Sequence, residues 1–93
     1  MSTNKFSSET RAPRVPPRVN ALLRGMQIME LLAAENSPWS TSAIARKLKL
    51  PKSTTSYLLH TLLDQGYVRR DAAGDYRLTM RLVELSGQAL RSL

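Results

Sequence analysis

Leu50-Pro-Lys-Ser-Thr-Thr-Ser-Tyr-Leu-Leu-His-Thr-Leu-Leu-Asp-Gln-Gly66 reads as one helix with both of its ends marked. Leu50 and Pro51 make the leading break, because a residue before proline is pushed out of helical geometry. A helix then runs from about Lys52 to Gln65. Gly66 closes it, being the residue best able to adopt a left-handed conformation. At about 100° per residue, Thr55, Leu58, Leu59 and Leu62 fall on one side, and Ser53, Ser56, Tyr57, His60 and Asp64 on the other. The first side is a core face. The second carries hydroxyls, a phenol and an imidazole, with Lys52 at the helix start, where the dipole is positive.

Upstream, Thr41 or Ser42 caps a short helix that carries Ile44, Ala45 and Leu48 and runs only two turns. Trp39 and Ser40 before it read as extended. A longer helix begins at Asn20, a candidate N-cap, and runs to about Glu35, with Leu22, Met26, Met29 and Ala33, joined by Leu23 and Leu32, as its apolar stripe. Asn36-Ser-Pro38 ends it. Downstream, Tyr67-Val-Arg-Arg70 and Asp75-Tyr-Arg-Leu78 flank a turn and predict a β-hairpin. Met80 to Leu93 is again helical, with Leu82, Val83, Leu85, Ala89, Leu90 and Leu93 apolar. This order of short helix, turn, helix and hairpin is that of a winged helix-turn-helix, a mainly α fold with a small β-hairpin.

The charge follows the same plan. Fourteen Lys and Arg against seven Asp and Glu give a formal net charge of +7, which suits a partner of dense negative charge. Arg46, Lys47 and Lys49 cluster at the turn before the third helix, and Arg69, Arg70 and Arg77 lie on the hairpin. From these positions we expect Lys52, Ser53, Thr54, Ser56, Tyr57 and His60 to meet base edges or the groove of duplex DNA. Thr41, Arg46, Lys47, Lys49, Arg69, Arg70 and Arg77 are the expected phosphate contacts. Ser53 also has the chemistry of a simple helix cap, and any surface helix has a polar face.

Other classes fit poorly. The 93 residues allow one small domain. With 42% hydrophobic residues but 5% aromatic, its core must be aliphatic. The chain has no Cys, so it holds no disulfide, thiolate metal site or cysteine nucleophile. His60 is the single histidine, without partners for a triad or a metal site, and the four glycines are too scattered for a phosphate loop. We therefore expect no enzyme, cofactor or metal. No apolar run nears the roughly 18 residues of a membrane span, and the start lacks a signal core, so a cytoplasmic protein is expected.

Residues 1–18 read as a basic, proline-broken arm with Lys5, Arg11, Arg14 and Arg18 against Glu9, either disordered or touching DNA. Residues 19–79 form the winged helix and residues 80–93 a linker helix that stops in mid-pattern, as a truncation would. The apolar faces of the first and last helices complete the core or form a dimer contact.

Residues 20–90 resemble the N-terminal DNA-binding domain of the IclR family of bacterial transcriptional regulators. The resemblance lies in Arg24-Gly-Met-Gln-Ile-Met-Glu-Leu-Leu32, Ile44-Ala45, Leu50-Pro-Lys-Ser-Thr54, Leu58-Leu59, Thr61-Leu62, Gly66-Tyr-Val68 and Tyr76-Arg-Leu78. It implies a homodimer on a palindromic or near-palindromic operator, on the bacterial nucleoid, with the third helix in the major groove and the hairpin as wing. Lys52, Ser53 and Thr54 carry over as DNA-facing residues. It also implies a C-terminal domain for a small-molecule effector, beyond this chain. Tyr57 stands where such proteins often have Arg, which bears on base preference. Thr79 stands where Gly often follows Tyr-Arg-Leu, which bears on the hairpin exit. Two rivals remain open: a protein-docking winged helix with only nonspecific DNA affinity, and a membrane-surface protein, which lacks a myristoylation start.

Overall fold

Helix α1 (Pro17–Ala34) opens on a proline in the computed structural model, which describes residues 17–35 and 37–93. Proline suits a first helical position because its fixed φ is already helical and its missing N–H would have no partner there. The helix thus starts three residues before the expected cap: Asn20 lies inside it, and its first two residues come from the stretch read as an arm. Residues 1–16, including Lys5, Arg11 and Arg14, lie outside the described residues.

The stripe on α1 also differs from expectation. Ile28 and Leu32 are buried, with Leu31 packed beside them, whereas Leu22 is 67% and Met26 46% exposed. Helix α1 is apolar on more than one side, so periodicity alone cannot choose the inward side. Contact with α2, α3 and the hairpin makes the choice.

Helix α2 (Thr41–Leu48) spans two turns and buries Ile44 and Ala45. Its N-cap is Ser40, not Thr41 or Ser42. Ser40 is extended, and its hydroxyl accepts the Ala43 N–H at 3.1 Å. Only the last non-helical residue can aim its side chain at that N–H, so Thr41 and Ser42 become helical residues. Lys49 then turns left-handed, at φ 57, and ends α2 with its N–H on the Arg46 carbonyl. Helix α3 (Lys52–Asp64) follows, and Thr55, fully buried, donates its hydroxyl to the Pro51 carbonyl at 3.0 Å. Gly66, at φ 83, releases the chain into the hairpin.

Strands β1 (Val68–Arg70) and β2 (Tyr76–Leu78) pair antiparallel with Val68 opposite Leu78, Arg69 opposite Arg77 and Arg70 opposite Tyr76. The Asp71 carboxylate accepts the N–H groups of Ala73 and Asp75 and so holds the turn. Trp39 adds a one-residue bridge on the other edge of β2, exchanging both backbone hydrogen bonds with Tyr76 at 3.1 and 2.8 Å. The extended reading of Trp39 and Ser40 thus has a partner. The core gathers Ile28 and Leu32 of α1, Ile44 of α2, Leu58 and Leu59 of α3, and Val68 and Tyr76 of the hairpin.

Helix α4 (Arg81–Ser92) buries none of its residues. It is tied at its start by Thr79. That hydroxyl donates to the Gly66 carbonyl at 2.6 Å and accepts the Arg81 N–H at 3.1 Å. The Thr79 N–H donates to the Tyr67 carbonyl at 3.0 Å. The position marked as a departure is therefore a three-way tie between the end of α3, the hairpin and α4.

Candidate nucleic-acid interface

The buried side of α3 fixes what the opposite side presents. With Thr55, Leu58 and Leu59 in the core, Lys52, Ser53, Tyr57 and His60 are exposed and Thr54 and Ser56 half-buried. These are the six residues singled out in the sequence. Tyr57 is 70% exposed, the most exposed apolar surface on the helix. The start of α3 has Pro51 as N-cap and no side-chain capping bond. Ser53 is thus not a cap, and the first turn directs unpaired N–H groups and the positive dipole end outward, the arrangement that attracts an anion such as a phosphate.

The turn before α3 supplies cations. Arg46 and Lys47, in the last turn of α2, and Lys49, at the left-handed position, are all exposed, while Thr41 in the first turn is half-buried. Lys49 ends α2 in the left-handed conformation that closes helices, three residues before Lys52. The tight turn therefore groups these cations just before the start of α3.

The hairpin divides its arginines. Arg69 and Arg77 face one another across the strands and line a cleft of about 290 Å³ with Glu35 and Ser37 beyond the end of α1. Arg70 projects from the opposite face. Its guanidinium lies 5.4 Å from the Tyr76 ring centre, and its Nε donates to the Gly74 carbonyl at 3.2 Å. Two of the three wing arginines are thus together, and the third braces the turn. Strand alternation contains this split, since neighbouring residues in a strand point to opposite faces; the two contacts that occupy Arg70 are set by the turn.

An apolar groove of about 330 Å³ was not foreseen as such. It runs between α1 and α3, with Leu22, Gly25, Met26 and Met29 on one wall and Tyr57, Leu58 and Leu62 on the other. Its continuation meets Leu82 of α4. The signal in the sequence was the surplus of apolar residues on the first helix. Among the described residues no group of three His, Asp or Glu is placed to hold a metal ion, and no helix is long and apolar enough to cross a membrane.

Residues 21–72 match the model of the IclR helix-turn-helix domain. The HTH-type transcriptional regulator RhmR of Escherichia coli K12 is 40% identical over 76 residues, 82% of this chain and 29% of that protein. The acetate operon repressor of Salmonella typhimurium LT2 is 39% identical over 61 residues, 66% of this chain and 22% of the repressor. Among solved structures, an IclR family transcriptional regulator from Brucella abortus superposes with a TM-score of 0.76 at 33% identity, over 91% of this chain and 33% of that one. The chain spans about a third or less of the length of each.

Proposed function

The chain belongs to the IclR family of helix-turn-helix transcriptional regulators, and from that premise we propose that it reads double-stranded DNA by sequence. In this reading α3 lies in the major groove, with Lys52, Ser53, Thr54, Ser56, Tyr57 and His60 toward the bases and the helix start toward the backbone. Thr41, Arg46, Lys47, Lys49, Arg69 and Arg77 hold phosphates. Arg70 contributes from the braced turn. The observation that carries the reading is the uncapped, exposed start of α3 beside a cationic turn.

The reading includes a homodimer on an inverted repeat, supported by the exposed apolar surface of α1 and α4. Residues 17–79 act as the reading head, 80–93 as a linker helix and 1–16 as a basic arm. An effector, if bound, is bound by a further domain of a longer protein. The role is regulatory, involves no catalytic step, and belongs to the bacterial cytoplasm, on the nucleoid.

Selection from a random duplex library, at about physiological salt and with excess nonspecific competitor, tests this directly, because low salt inflates backbone binding. Enrichment of an inverted repeat is the expected result. The α1–α3 groove favours a second reading, a protein-docking winged helix. Under that reading no motif is enriched and DNA affinity is indifferent to sequence.

A further inference from the structure

We propose that Tyr57 reads the 5-methyl group of a thymine, so that each half-site carries a T·A pair beneath the second turn of α3. The inference rests on the DNA-reading assignment above and names the chemistry by which that face discriminates.

The argument begins with what the face lacks. From Lys52 to His60 it offers one ammonium, an imidazole, hydroxyls and one phenol, and neither a guanidinium nor a carboxamide. The planar forks that pair with guanine or adenine edges come chiefly from Arg, Asn and Gln, so α3 has none. Ser53 and Ser56 donate or accept equally well and tolerate any base at short reach. Lys52 is a flexible point charge at the helix start.

Tyr57 differs from all of these. It is 70% exposed in the second turn, between Ser53 one turn before and His60 one turn after, so its ring stands on the same face as the hydroxyls. One side of the ring borders the apolar groove that Leu22 and Met26 line. The ring is an apolar surface with few rotamers to lose, and the one apolar feature of the major groove is the thymine methyl. Burying that methyl against the ring is a discriminating contact that the ammonium and the serine hydroxyls of α3 cannot make.

The test uses the 93-residue chain and the duplex recovered by selection, with each thymine replaced in turn by deoxyuridine, which lacks only the methyl. At one position per half-site the affinity should fall about fourfold, the factor a buried methyl-sized group supplies. Tyr57→Phe should keep that dependence, and Tyr57→Ala should bind thymine and deoxyuridine duplexes alike, with circular dichroism unchanged because the residue lies outside the core. A recovered motif with no methyl dependence, or one whose dependence survives Tyr57→Ala, overturns this inference and leaves the DNA-reading assignment standing. Recovery of no motif overturns both.

Discussion

Lys49 sits at φ 57 and ψ 48, a conformation that costs a residue with a Cβ about 1–2 kcal/mol relative to right-handed geometry. Its N–H still closes α2, so the strain belongs to the tight turn that brings α3 back across α2. Lys49→Gly should therefore raise the stability read from urea unfolding by up to about 1 kcal/mol, since glycine adopts this conformation freely. The same change should lower DNA affinity and reduce the slope of log K against log salt by about one, the signature of one lost phosphate contact. A gain in stability with an unchanged slope would make Lys49 a turn residue only. Lys52 and the wing divide differently. Lys52→Ala should cost about 1–3 kcal/mol of discrimination between the selected site and a base variant, whereas Arg69→Ala and Arg77→Ala weaken binding uniformly. Equal losses on all sequences for Lys52→Ala would place it on the backbone instead. The residue types of this face were legible in the sequence because helical period alone separates Ser53, Tyr57 and His60 from Thr55, Leu58 and Leu59. The bracing of Arg70 was not, since it depends on a carbonyl and a ring brought near by the turn.

Among the elements, the caps separate local from nonlocal control. Ser40 holds the start of α2 through one hydrogen bond, and Ser40→Ala should cost about 1 kcal/mol of unfolding free energy, measured by thermal or chemical denaturation. Thr41→Ala should cost clearly less, because Thr41 is a helical residue and makes no cap. By sequence, Thr41 and Ser42 are the candidate caps and Ser40 is extended. The choice fell to Ser40 because the Trp39 bridge to Tyr76 keeps the chain extended until that point. Thr79 shows the same dependence: its hydroxyl joins Gly66 to Arg81, thirteen residues back and two ahead, a span that local pattern does not report. The elements themselves were legible. A proline or glycine marks most of their ends, and the change from helical to alternating period marks the hairpin.

For the molecule as a whole, stability and the proposed dimer rest on different apolar surfaces. Tyr76 is 1% exposed and is the largest fully buried side chain, so Tyr76→Ala should remove about 3–5 kcal/mol, much of the stability of a small domain, and abolish cooperative melting near room temperature. Met26 is 46% exposed on the groove wall, and if the proposed dimer closes over this groove, Met26→Glu should leave the circular dichroism spectrum intact while shifting sedimentation from dimer to monomer. A dimer that survives this charge would move the contact to another face. The sequence by itself determined the order of elements, the inward face of α3, the cationic turn and the excess of positive charge, since each follows from period, proline and glycine placement, or composition. Only the tertiary structure decided which side of α1 is core, which serine caps α2, which arginine braces the wing and that Tyr57 borders an apolar groove. Each of these depends on which surfaces meet, and a helix apolar on several sides carries no local record of the partner that will cover one of them.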